Sequence, residues 1–280
     1  MRVMSVPLPV RPFFQLFWIG VCAAGMLLQT TLLLDEVLPA CWLMGFVFGA
    51  TVFGYNFAAW GWRRLIAWVM GGVGIFCFLN ISRGQQLATL APFVIWLFYY
   101  DIRYPGRAGL RKYPAIKPIA IAIAWAWVTV LLPLPLERWT DAPVLFIGRA
   151  AFIFALALAY DLCDEKYDRS KGLTTLVMQA GVHRAYRLID ISLLLSGVCV
   201  GLNFWLGIYS LNNTLALLVS IIAGRQLIRK ITTLTEWGDW RKVAIDALML
   251  MQVGLVWGAD NLSRRIFIKM CLYFDFYLFN

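Results

Sequence analysis

Three carboxylates, Asp161, Asp164 and Asp168, fall inside the segment YDLCDEKYDRSKGLTTLVMQAG that occupies residues 160–181. Spacings of i, i+3 and i+7 put all three on one face of a helix. Like charges held that close repel each other unless a cation lies between them. Oxygen donors at a helix end suit a hard divalent cation, and Mg²⁺ in particular takes one or two carboxylates together with the phosphate oxygens of a substrate. Lys166, Arg169 and Lys171 follow at once. Acid to hold metal beside base to hold anion is the arrangement a diphosphate needs. The cluster is also a concentration: of 15 acidic residues in a chain only 14% charged, four lie between 161 and 168. A charged helix end is often just a solvated boundary, and residue types alone leave that reading open.

A second basic segment, YPGRAGLRKYPAIK over residues 104–117, offers Arg111, Lys112 and Lys117 as partners for phosphate oxygens, across the bundle from the carboxylates. Pro105, Gly106 and Gly109 shape it as a loop rather than a helix. Basic charge that does no more than fix topology explains the segment equally well.

The elements that must position these groups are apolar. The chain has 280 residues, 61% of them hydrophobic, and a mean hydropathy of +0.74. Apolar runs near the ~20 residues that cross a bilayer recur along its length, which predicts an all-α, polytopic membrane protein. The alternating segments of a membrane β-barrel are absent. Nine spans are expected in one bundle, near 13–34, 40–60, 65–80, 87–100, 116–135, 143–160, 186–208, 211–224 and 242–260. No linker, repeat or low-complexity tract separates them. Residues 1–280 therefore read as a single domain, with the bundle over 13–260 and a tail over 261–280. The first apolar run is longer than the core of a signal peptide and is expected to be retained.

Basic residues set the orientation. With a cytoplasmic N-terminus, 19 of the 25 lysines and arginines fall on the cytoplasmic side, together with the Asp-rich segment. Arg83, Arg138, Arg149, Arg264, Arg265 and Lys269 are left for the opposite side. The net charge of +10 then reflects topology and contact with anionic lipid, with no nucleic-acid partner implied. The six cysteines show no pairing pattern and read as small hydrophobes. His183, the single histidine, reads as a surface or capping residue. Asp190 and Asp246 fall within expected spans, where an ionisable group faces the bundle interior. For Asp246 a functional role and a plain interhelical contact stand level.

The series Asp161-x-x-Asp164-x-x-x-Asp168-Arg169-x-x-Gly172-x-x-Thr175-Leu176, ending at Gly181, resembles the second aspartate-rich motif of the UbiA-type intramembrane prenyltransferases. Residues 110–117 running into AIAWAWVTVLLP at 122–133, and EWGDWRKVAIDALMLMQ at 236–252, resemble the same family. The likeness extends over about residues 40–258. It implies a nine-helix bundle around a lipid-facing cavity. The implied activity is transfer of a prenyl group from an isoprenyl diphosphate to a small acceptor, often aromatic, with Mg²⁺ bridging the leaving diphosphate. Carried over by position, Asp161, Asp164 and Asp168 would be the catalytic metal ligands or their close support. Arg111 and Lys112 would contact diphosphate, with Lys117 and Arg169 beside them.

One departure accompanies the likeness. The family's first motif is an Asn followed by Asp at the fourth and eighth positions. The best match starts at Asn56 in YNFAAWGWRR, where those positions hold Trp60 and Arg64. Both carboxylates are missing, and Arg64 would either contact the diphosphate or abolish the second metal. Asn56 and Arg64 are accordingly counted on the substrate side. A chain that keeps the fold without turnover, as a binder of isoprenoid lipid or a partner subunit, is the alternative.

Overall fold

The computed structural model describes residues 10–34, 39–57, 62–100, 109–110, 113–170, 174–234 and 240–278. The described chain is helical because an apolar segment in lipid must satisfy its own backbone hydrogen bonds. In order come α1 (Val10–Leu33), α2 (Cys41–Asn56), α3 (Trp62–Phe78), the short α4 (Arg83–Ala88) and α5 (Leu90–Tyr100). Next, α6 (Ile116–Ala126) widens into a π-helical turn (Trp127–Leu131), and a 3₁₀ turn (Leu136–Asp141) leads into α7 (Pro143–Ser170). The chain closes with α8 (Leu176–Ala180), α9 (Val182–Trp205), α10 (Leu211–Thr233) and α11 (Trp240–Leu278).

Four stretches, Pro143–Glu165, Val182–Trp205, Leu211–Thr233 and Trp240–Asn261, are long and apolar enough to cross a bilayer. Shorter apolar helices cover Phe17–Leu33, Cys41–Asn56, Arg64–Phe78 and Ile116–Leu131. The protein is an integral membrane protein of all-α class. Large apolar side chains such as Leu65, Ile75, Leu79, Leu194 and Ile222 stand exposed on its outer surface, as lipid-facing residues do.

The expected boundaries shift for identifiable reasons. The stretch expected at 87–100 is divided at Thr89 between α4, which Ser82 and Gln85 start with a reciprocal capping box, and α5, where Pro92 has no amide to offer the Ala88 carbonyl. The stretch expected at 116–135 leaves α-geometry at Trp127, ahead of Pro133 and Pro135, which cannot continue a helix. The stretch expected at 143–160 runs ten residues further, to Ser170, since no Pro or Gly interrupts it. At the end of the chain, the tail expected at 261–280 is helical backbone continuous with α11 as far as Leu278.

Small residues let helices approach closely where packing rather than water exclusion must hold them together. At the α2–α3 crossing a Cβ added to Gly49 would lie 2.9 Å from the Met70 carbonyl oxygen and 3.1 Å from the Gly74 nitrogen. Both are backbone atoms and cannot step aside. Gly49→Leu is therefore expected to cost about 1–3 kcal/mol, read as a lower melting midpoint and a reduced monodisperse fraction in detergent. Gly20 of α1 meets Phe48 and Val52 of α2, which sets the two helices antiparallel and brings the C-terminal end of α2 to the same end of the bundle as the start of α1.

Candidate functional site

Because α7 continues past the apolar run, Asp161, Asp164 and Asp168 all stand on one continuous helix. Asp161 is 2% exposed and Asp168 3%, so this face is turned into the protein. Such carboxylates need partners, and two lysines from the first turns of other helices supply them. Lys117, near the start of α6, places Nζ 2.5 Å from Asp161 Oδ1 and 3.8 Å from Asp168 Oδ2. Lys242, near the start of α11, places Nζ 2.5 Å from Asp164 Oδ1 and 5.6 Å from the centre of the Tyr160 ring.

Further bonds fasten the surrounding helices to this end of α7. Gln15 of α1 donates to the Tyr160 hydroxyl at 2.5 Å. Arg241 of α11 donates to the Cys163 carbonyl at 3.0 Å and to the Thr232 carbonyl of α10 at 3.4 Å. Trp18 of α1 donates to the Val243 carbonyl at 3.1 Å. The carboxylate face thus sits where α1, α6, α7 and α11 meet, with α10 tied in behind.

Two oxygens stay open in this arrangement. Among the described residues Asp161 Oδ2 and Asp168 Oδ2, both buried, find no hydrogen-bond partner, with Lys117 Nζ 3.8 Å from the second. A buried acceptor without a partner costs free energy, so this pair is where an incoming cation or donor gains most. Among the described residues no three carboxylate, histidine or cysteine side chains converge closely enough to hold a metal on their own. Asp161 and Asp168 are the residues that could share one.

The other expected site residues are distributed as follows. Lys117 was expected across the bundle from the aspartates and instead lies against them. Arg169 is exposed and pairs with Glu165 one turn earlier, at 3.0 Å. Asn56 is fully buried at the end of α2, where its Nδ2 donates to the Val52 carbonyl at 2.7 Å and its Oδ1 has no partner. It lies at the same end of the bundle as the aspartates, but no hydrogen bond joins it to them. Arg64 is exposed on α3. Arg111, Lys112, Trp60 and Gly172 lie outside the described residues.

The segment after the cluster has a readable logic of its own. Thr175 caps α8 by accepting from the Met178 amide at 3.4 Å. Gly181 then joins α8 to α9 at φ +80°, a conformation that glycine adopts freely and other residues resist. Gly181→Ala is expected to destabilise the protein by about 1–2 kcal/mol, seen as a fall in melting midpoint without loss of the helical circular-dichroism signal.

Arg241 and Lys242 lie in the 236–252 segment that carries part of the resemblance, but nothing in residue type marked them as partners of α7. Asp190 makes an interhelical clasp: Arg225 meets both of its oxygens, at 2.8 and 3.1 Å, and Arg229 meets one at 2.6 Å. Asp246 is buried. His183 is exposed at the start of α9, as expected.

Fold and site together define a helical membrane bundle with a buried, lysine-paired aspartate face at one end. One solved structure that it resembles is that of a digeranylgeranylglyceryl phosphate synthase in membranes. The alignment covers 90% of this chain and 96% of that chain, with a TM-score of 0.57 and 12% sequence identity. At that identity the likeness is one of fold. No protein-family model matches this chain, and no curated protein sequence does.

Proposed function

We propose that this protein transfers a prenyl group from an isoprenyl diphosphate to a small acceptor within the membrane, using the carboxylates of α7 and Mg²⁺. One observation carries the reading: Asp161 and Asp168 each keep a buried oxygen free of hydrogen bonds, with Lys117 beside both. Mg²⁺ is content with one or two carboxylates when phosphate oxygens complete its shell. A two-carboxylate face fits it, provided the substrate brings the rest. Asp161 and Asp168 would hold the ion, and Asp164 would support them through Lys242. When bound, Mg²⁺ neutralises charge on the departing diphosphate.

The chain's own residues do the remaining work in this reading. Lys117 fixes the spacing of the two carboxylates and places an ammonium where phosphate oxygens arrive. Burial of the site keeps water from an allylic cation as the carbon–oxygen bond breaks. Asn56, Arg64, Arg111, Lys112 and Arg169 are proposed to attend the diphosphate. We read the shorter helices as further crossings, nine in all, and the aspartate face as cytoplasmic from the bias of basic residues.

A second reading, a fold-keeping binder of isoprenoid lipid without turnover, draws on Arg64 standing where an acid is expected and on carboxylates already paired with lysines. Purified protein in detergent, given prenyl diphosphates of several chain lengths, separates the two. Mg²⁺-dependent release of diphosphate with at least one of them is the expected result. Saturable binding without release would favour the second reading, and neither binding nor release would sink both.

A further inference from the structure

Arg149 is one of the six basic residues left for the side opposite the N-terminus. It is 4% exposed, six residues into α7. Its Nη1 donates to the Met26 carbonyl at 3.0 Å and to Thr129 Oγ1 at 3.5 Å, and its Nη2 donates to Thr30 Oγ1 at 3.4 Å. All three acceptors are neutral. Among the described residues Arg149 has no carboxylate partner, which is unusual for a buried guanidinium. An unpaired ion in a low-dielectric interior costs several kcal/mol, and arginines inside membrane spans ordinarily pair or line a polar cavity.

Here there is such a cavity. Arg149 shares its wall with Ser196, Asn203, Tyr209 and Gln252, drawn from α9, the turn before α10, and α11. Phe152 and Val200 belong to the apolar part of the same wall. Among the described residues no acidic side chain lines it. Asn203 is 1% exposed, and its Oδ1 lacks any hydrogen bond. Burial holds the Tyr209 phenol far above its ordinary ionisation range, outweighing the pull of Arg149 in the other direction, so it stays a neutral hydroxyl donor. A cation, hydroxyls and one acceptor without a partner among the described residues therefore line a small, partly open cleft. That set matches an oxyanion that still carries one hydroxyl hydrogen: the guanidinium and phenol meet its charged oxygens, and Asn203 Oδ1 accepts its O–H.

We propose that this cavity is a binding site for a phosphate group, as free hydrogen phosphate or as the phosphomonoester head of a lipid. Arg149 neutralises the charge, and Tyr209 and Asn203 fix the orientation. The site lies apart from the aspartate face: twelve residues of α7 separate Arg149 from Asp161, about 18 Å along the helix at ~1.5 Å per residue. It does not depend on the transferase reading.

The test uses the full-length protein in phosphatidylcholine nanodiscs, with the melting midpoint as the readout. One arm titrates inorganic phosphate against chloride at matched ionic strength. The other replaces a minor fraction of the lipid with phosphatidic acid. A saturable rise in midpoint is expected in one arm, and which arm responds identifies the source. Arg149→Gln should weaken the apparent affinity by about ten- to a hundredfold, the usual worth of a charge-assisted hydrogen bond. Tyr209→Phe, which removes a single hydroxyl, should weaken it several-fold. It decides the matter if Arg149→Gln does not fold. No saturable rise in either arm would mean the cavity holds water only and would overturn the proposal. An undiminished rise in either variant would do the same, by placing the bound phosphate elsewhere, for instance at Lys117.

Discussion

Asp161→Asn and Asp168→Asn should each lower Mg²⁺-dependent release of diphosphate by about 10²–10³-fold, the range seen when one preorganised electrostatic contact to a developing charge is removed. Asp164→Asn should do less, about tenfold, and Glu165→Gln almost nothing. The ranking follows from what each carboxylate already holds. Asp161 and Asp168 are buried and keep one oxygen unspent. Asp164 is committed to Lys242 at 2.5 Å. Glu165 is the most exposed of the four and pairs with the exposed Arg169, an ion pair of the kind worth little.

Asparagine keeps the volume and one acceptor oxygen while removing the charge, so a loss of rate cannot be assigned to a cavity. Release is measured at saturating Mg²⁺ and prenyl diphosphate, and size-exclusion profiles and melting midpoints of each variant are compared with the parent. Equal losses at Glu165 and Asp161 would show that the whole charged helix end matters, as a solvated boundary would, and the assignment of the site would fall. A selective loss at Asp164 would move the site toward Lys242 and α11.

What could be read from the sequence was whatever depends on local period. Three acids at i, i+3 and i+7 share a face on any helix, and with no Pro or Gly from Tyr160 to Ser170 nothing stops α7 before it has presented all three. The glycine at 181 was legible as part of a motif, and its positive φ supplies the physical reason for it. Partners brought in by packing were not legible. Lys117 lies 44 positions from Asp161, and only the approach of α6 to α7 decides that its ammonium meets a carboxylate before it meets a phosphate. Lys242 reaches Asp164 from another helix again. The burial of Arg149 was not legible for a related reason: a charge count assigns an arginine to one side of the membrane and says nothing of whether it is buried. The acceptors that let this one stay inside are a carbonyl and two hydroxyls contributed by α1 and the π-helical turn.

Lys117→Met should be the most destabilising single change at the aspartate end, because it leaves Asp161 and Asp168 buried without the cation they share. Removing one member of a buried ion pair costs about 3–5 kcal/mol, more than the pair itself contributes. Methionine keeps most of the length and apolar stem of lysine, so lost packing adds little. Combining Lys117→Met with Asp161→Asn should recover part of the loss, since the second change removes the charge that the first left stranded. Mg²⁺ turns the same variant into a test of the metal reading that needs no turnover. If Asp161 and Asp168 hold a divalent ion, millimolar Mg²⁺ should raise the melting midpoint of Lys117→Met more than that of the parent protein, by replacing the missing positive charge. Ca²⁺, larger and less demanding of geometry, should raise it less. A Lys117→Met protein as stable as the parent would show that the lysine contributes nothing to holding the two acids. An unstable variant indifferent to Mg²⁺ would leave the ion pair standing and remove the metal from between the carboxylates.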